Sequence, residues 1–187
     1  HLDLYIGIYK LYQKEWQKMS IKVKDNFLPK KVNEEMFNTL TNNEFPWYYI
    51  SSVTRNGDHP HGGDKDKNIY FTHVIYNNDK INSTFYEKFI TLFFKKLKIK
   101  KLIRAKLNLY VPGQKIIKHK WHVDYDFKHK TALYYLNTNN GCTTFKDPNK
   151  KISSVANRCA IFDGHHQHRS SNCTDQKCRI TLNVNYE

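Results

Sequence analysis

The feature that most constrains this chain is a change of hydropathy period near Leu102. From there Ile103, Ala105, Leu107, Leu109 and Val111 alternate with Arg104, Lys106, Asn108 and Tyr110. Strict alternation is the mark of a strand with unlike faces. Pro112-Gly113 ends that run, and short strand-like runs follow near 116–124, 131–137, 142–145, 151–156, 158–163 and 177–186. Asn139-Asn140-Gly141, Asp147-Pro148-Asn149, Asp163-Gly164 and Thr174-Asp175 supply the turns between them. Such a series behind a partly helical half predicts an α+β, mainly β chain: a jelly roll or barrel with packed N-terminal helices. In the last run Ile180, Leu182 and Val184 share one face, and Arg179, Thr181, Asn183 and Asn185 share the other. The polar face either meets water or lines a cavity while the apolar face packs on helices.

The first hundred residues read differently. Leu11, Tyr12, Trp16 and Met19 recur at helical spacing, as do Val32, Met36, Phe37 and Leu40 behind Leu28-Pro29. Residues 51–68 form a long polar loop of the kind expected to confer substrate selectivity. Thr84 and Glu87 fit a capping box, with Phe85, Phe89, Leu92, Phe93 and Leu97 on one face of a helix over 84–98. The 187 residues fit one domain, about 1–100 as helical and loop support and about 101–187 as the β core.

Charge and cysteines set further bounds. Lys and Arg outnumber Asp and Glu by 31 to 17, a net charge of +14. That fits a polyanion partner or a lysine-rich compositional bias, and the spread of the lysines favours the bias. Cys142, Cys159, Cys173 and Cys178 form no Cys-x-x-Cys pair and read as free thiols of a reducing, cytoplasmic setting. No run approaches the ~18 apolar residues of a membrane span, so no membrane partner is expected. The chain starts at His1 and shows no secretory pattern.

His122-Val123-Asp124 places an imidazole and a carboxylate on one face of an extended segment. Alone this pair is weak, and His1-Leu2-Asp3 repeats it at the terminus. Some forty residues on, an apolar run and a turn lead into His165, His166 and His168. A third ligand from there would complete two histidines and a carboxylate, the facial set of non-haem iron. Arg179 stands on the polar face of the last strand with no carboxylate beside it there, so its partner is a candidate ligand.

These residues together resemble the iron(II)/2-oxoglutarate-dependent oxygenases, in particular their prolyl 4-hydroxylase-like branch, over roughly residues 27–186. The resemblance rests on Leu109-Tyr110-Val111-Pro112-Gly113, His122-x-Asp124, Leu133–Asn137 with Gly141–Phe145, and Phe162-Asp163-Gly164 through His168-Arg169 to Arg179–Asn185. It implies a double-stranded β-helix core. It implies His122, Asp124 and His168 as iron ligands, Arg179 and Tyr135 on the far carboxylate of 2-oxoglutarate, and Tyr110 lining the cosubstrate pocket. It also implies Fe(II), 2-oxoglutarate and O2 as requirements, ascorbate as an accessory reductant, and hydroxylation of a prolyl or other residue in a peptide, or of a small molecule. His168 is preferred over His165 and His166 because it gives the family's spacing to Arg179. Thr181 and Asn183 are weaker cosubstrate contacts, and Cys142 stands where many relatives have a second glycine. The remaining histidines, His59, His61, His73, His119 and His129, read as surface or structural. Tyr134 reads as packing, Trp121 as core, and Arg158 and Arg169 as surface charges. AlkB-like nucleic-acid demethylases share the His-x-Asp and Arg motifs, but carry a second arginine where Asn185 stands; that reading and a non-catalytic jelly-roll binding module are the alternatives. Oligomeric state is left open.

Overall fold

The computed structural model describes residues 21–50 and 70–187. The helix expected around residues 11–19, the loop over 51–68, and His1, Asp3, His59 and His61 lie outside the described residues. Eleven strands and two helices are present among those described. In chain order they are β1 (Lys22–Lys24), α1 (Lys30–Leu40), β2 (Tyr48–Ile50), β3 (Tyr70–Asn77), β4 (Lys80–Ile81), α2 (Thr91–Leu97) and β5 (Leu102–Tyr110). Then follow β6 (Lys130–Tyr135), β7 (Cys142–Phe145), β8 (Lys150–Ser153), β9 (Arg158–Asp163), β10 (His168–Ser170) and β11 (Arg179–Tyr186). The larger sheet runs β1-β9-β6-β11-β5-β3-β2, with β4 on β3, and the smaller runs β10-β7-β8. All of their pairings are antiparallel.

The two expected helices that fall among the described residues form, one with a correction. Pro29 precedes the first turn of α1, where its missing N–H costs nothing. The helix predicted over 84–98 instead opens as a π-helical turn, Tyr86–Ile90, and continues as α2. The capping box does not close; the Ser83 hydroxyl takes the Phe85 N–H at 3.3 Å. The extra residue in the π turn rotates the apolar face, so Ile90 is buried and Leu92 is 39% exposed. The supposed helical support also contributes strands: β3 pairs with β5 along most of its length and widens the large sheet.

The apolar face of β11 packs on the helices. Ile180, Leu182, Val184 and Tyr186 join Ala105, Leu107, Tyr134, Phe89, Phe93, Met36 and Leu40 in one buried cluster. Each such large side chain contributes about 1.5–3 kcal/mol on burial, more than a typical net hydrogen bond. Apolar burial therefore fixes the helices on the sheet. One polar network ties this layer to the N-terminal segment. Asn157, at φ 64°, accepts the Leu28 N–H at 2.8 Å and the Tyr134 hydroxyl at 2.9 Å, and its amide donates to Leu28 O at 2.6 Å. Tyr134 thus takes the packing side, as expected.

The other face of the large sheet looks toward the small one. Leu133, Tyr135, Ala160 and Phe162 pack against Phe145 and Ile152 there. Arg179, Thr181, Asn183 and Asn185 project into the same interior and are all buried. The β11 alternation is therefore that of a strand buried on both faces, with a polar inner face and not a solvated one. No helix among the described residues is long and apolar enough to cross a membrane.

Candidate functional site

The segment 116–124 forms only two isolated bridges, Lys118 with Ser171 and His122 with His168. The second one builds the site. His122 and His168 exchange backbone hydrogen bonds, each 3.0 Å, and so face each other across the ladder with ring centroids 4.6 Å apart. Asp124, two residues on, reaches the same point. One ligand atom each from His122, Asp124 and His168 lies within 4.8 Å of the others. His165 is exposed and His166 is turned away, its Nδ1 donating to Asp147 O at 2.8 Å.

The second contacts of each ligand fix its chemistry. His122 Nδ1 donates to Lys120 O at 3.2 Å and His168 Nδ1 to His166 O at 2.9 Å. A carbonyl oxygen only accepts, so Nδ1 carries the proton and Nε2 keeps its lone pair for a metal. Burial, then the neighbouring His168, push the His122 pKa down to about 4, so it is neutral near pH 7. Burial alone would raise the Asp124 carboxyl. Arg104, His168 and the amides of Asn185 and Asn183 override it and hold the carboxyl well below the usual range. Asp124 Oδ1 accepts from Arg104 Nη2 at 2.8 Å, and Oδ2 from Asn185 Nδ2 at 2.9 Å and Asn183 Nδ2 at 3.1 Å. A neutral His122, a His168 whose Nδ1–H is held by a carbonyl, and an ionised Asp124 carboxylate suit a non-haem divalent iron.

Arg179, four residues before Asn183 on the same face of β11, is fully buried. Its guanidinium donates to Ser154 Oγ at 2.7 Å, Ser171 O at 3.2 Å and Thr143 Oγ1 at 3.2 Å. None of these is an acid. Tyr110 and Tyr135 flank it, ring centroids 5.0 and 5.7 Å from the guanidinium carbon. Among the described residues Thr181 Oγ1 and His119 Nδ1 are buried with no hydrogen-bond partner, and the Tyr135 hydroxyl is buried beside Thr143. A buried cation among unsatisfied polar atoms is costly unless a ligand completes it. A small diacid supplies what is missing, so the residues present fit 2-oxoglutarate. Burial raises the Tyr135 hydroxyl to about 12, which keeps it a neutral donor. Gly141 is required at this end: a Cβ there would stand 2.6 Å from Arg179 Cδ and 2.6 Å from Asn172 O. Cys142, in place of a second glycine, enters β7 as a buried thiol 3.8 Å from Thr144 Oγ1.

Among the other expectations, those for Trp121, Arg169 and Asn183 need revision, while the free cysteines, the structural histidines and the partly exposed Arg158 agree with the structure. Trp121 is only half-buried, and the Arg169 guanidinium lies 4.1 Å above its ring. Arg169 Nε is buried without a partner, so it is not a simple surface charge. Arg158 pairs with Asp25 at 2.6 Å. His73, His119 and His129 are buried. Asn183 contacts Asp124 rather than the Arg179 end. All four cysteines are free thiols. Sequence reasoning missed Arg104, Asn185, Ser154 and Thr143. Arg104 shares the polar face with Asn108 and Tyr110, and a charge on the inner face of a central strand was the available signal.

No family model and no curated protein matches the sequence. Comparison of the fold finds the iron(II)/2-oxoglutarate oxygenases. A 2OG-Fe(II) oxygenase family oxidoreductase from Burkholderia pseudomallei aligns over 89% of this chain and 84% of its own, with TM-score 0.66 at 11% identity. Prolyl hydroxylases are among the similar structures. The Pseudomonas putida prolyl-4-hydroxylase aligns over 93% of this chain and 96% of its own, with TM-score 0.61 at 12% identity. A Trichoplax adhaerens prolyl hydroxylase, in complex with a hypoxia inducible factor oxygen degradation domain peptide, aligns over 92% and 86%, with TM-score 0.65 at 14% identity. The chain has the fold of these oxygenases.

Proposed function

We propose that this chain is an iron(II)- and 2-oxoglutarate-dependent dioxygenase that hydroxylates an unactivated C–H bond in a prolyl or other residue of a peptide. The observation that carries the proposal is the pairing of two sites along the buried inner face of β11. A buried guanidinium without an acid stands at one end, and a His-Asp-His cluster at the other. Both are tied to β11, where Arg179 and Asn183 are separated by about 13 Å of strand. The two facing sheets, with the bridges at Lys118 and His122, support a double-stranded β-helix, and residues 1–187 are read as one domain around it.

His122 Nε2, His168 Nε2 and one Asp124 oxygen would hold the metal on one face. When bound, Fe(II) with 2-oxoglutarate and O2 supplies the oxidising power for C–H hydroxylation, with ascorbate as an accessory reductant. Arg179 and Tyr135 would grip the far carboxylate of the diacid. Tyr110, held by Ser170 Oγ at 3.0 Å, walls the pocket. Phe145, Phe162 and Leu133 exclude water from the space between the two ends.

The peptide reading is supported by the prolyl hydroxylases among the similar folds. The nucleic-acid alternative rests on the charge of +14. Asn185 counts against it, being spent on Asp124 and Arg104. A non-catalytic module would have no use for a complete ligand set. The test is a panel of peptides, free amino acids and methylated oligonucleotides incubated with Fe(II) and 2-oxoglutarate. Each is scored by mass for a gain of one oxygen or loss of a methyl group. Asp124→Ala and His168→Ala should abolish turnover, and full activity in both would refute the ligand assignment.

A further inference from the structure

Resting on the metal-site reading above, we propose that Arg104 is a resident counter-cation for Asp124, which weakens metal capture by the bare protein and makes it depend on the diacid.

Arg104 and Asp124 form a buried ion pair, Nη2 to Oδ1 2.8 Å, with both side chains 6% exposed. The contact is a built one. Asn185 stands directly across the ladder from Arg104 and accepts from its Nε at 3.1 Å. The Asn185 amide donates to Asp124 Oδ2 at 2.9 Å and Thr131 Oγ1 at 3.0 Å. The guanidinium carbon sits 5.0 Å from the Tyr125 ring centroid. Arg104 is thus held on the carboxylate from two sides, and swinging it away would leave a buried charge unpaired.

The sign of its effect follows from charge. Partners behind a metal ligand are ordinarily carboxylates, carbonyls or waters that strengthen the ligand, and losing one costs about 10–100-fold in metal affinity. Here the partner is a cation competing for the same anionic oxygen. Among the described residues, the interior holds the Arg104 and Arg179 cations against the Asp124 carboxylate. Lys106, on the same wall, adds to the positive field at His122. A divalent ion entering alone raises a buried positive excess. A dianion arriving with it restores the balance, so metal and diacid bind with positive and reciprocal coupling. Arg104 does not touch the reacting atoms in this scheme; it is a positioning residue.

The experiment is titration of the full chain with Mn(II), with and without 2-oxoglutarate, following free Mn(II) by electron paramagnetic resonance. Arg104→Gln keeps a hydrogen-bond donor and removes the charge, whereas Arg104→Lys keeps the charge. Arg104→Gln should bind Mn(II) about tenfold tighter than wild type without the diacid, with a smaller difference when it is present. Arg104→Lys should stay near wild type. The metal-free melting temperature of Arg104→Gln should fall while its Mn(II)-induced rise grows. Arg104→Met repeats the titration if Arg104→Gln does not fold. Weaker or unchanged Mn(II) binding in the charge-removing variant overturns the inference while leaving the metal site standing. A wild-type chain that takes up no Mn(II) under either condition overturns both.

Discussion

Replacing Arg179 with methionine should separate the ligand-binding role of this residue from any structural one. The guanidinium is fully buried and spends three hydrogen bonds on neutral oxygens. Desolvating an uncompensated charge offsets most of what those bonds contribute. Arg179→Met should therefore leave the ligand-free protein within about 2 kcal/mol of wild type. Its effect on a bound diacid should be large. Hydrogen bonds to a charged group contribute about 1.5–3 kcal/mol each, so losing a two-pronged grip weakens binding by roughly 10²–10⁴-fold. The assay is thermal unfolding with Mn(II), with and without 2-oxoglutarate at about 100 times its wild-type Kd. Wild type should gain about 2.7 kcal/mol, a rise of about 5–11 °C for a domain of this size. The variant should gain almost nothing at the same concentration. A variant that melts at the wild-type temperature and shows the full rise would refute the assignment of Arg179 as the diacid anchor.

Three further outcomes follow from the contacts. Gly141→Ala should destabilise the fold by about 1–3 kcal/mol in urea unfolding and weaken the diacid-induced shift, because the new Cβ meets Asn172 backbone oxygen as well as Arg179. Asn157→Ala should cost about 3–5 kcal/mol in the same assay, since three buried hydrogen bonds are lost at a positive φ. His119, with its pKa pushed from 6.5 down to about 4, first by burial and then by Arg179 and His122, is neutral when folded and protonates more readily when unfolded. His119 should therefore contribute a loss of up to about 3 kcal/mol to the metal-free protein as pH falls from 6.5 to 4, on top of a like contribution from His122, and His119→Phe should remove its share of that slope.

The residues that were legible in the sequence are those whose signal is local. The His122-x-Asp124 pair shows because a period of two sets both on one face. Arg179 shows because it breaks the expected environment of a charged residue on a strand otherwise read as core. The β11 faces were legible for the same reason, and the structure resolves their ambiguity by burying both. What was illegible depends on pairing over long separations. Arg104 meets Asp124 only because β5 and β11 align Arg104 with Asn185, 81 residues away. Ser154 and Thr143 reach Arg179 from strands and turns of the opposite sheet. The π turn at Tyr86–Ile90 was hidden because one inserted residue shifts a helical face without changing composition. β3 was overlooked although Tyr70, Phe71, Thr72, Val74, Ile75 and Tyr76 are strand-formers, because its partner β5 lies beyond the intervening helix.

The most direct test of the account is the fate of labelled oxygen. Wild-type chain loaded with Fe(II) and 2-oxoglutarate under ¹⁸O₂ should convert the diacid to succinate carrying one heavy oxygen, and Asp124→Ala should form none. Iron-loaded wild-type protein that consumes no 2-oxoglutarate with any panel substrate, or makes only unlabelled succinate, would contradict it.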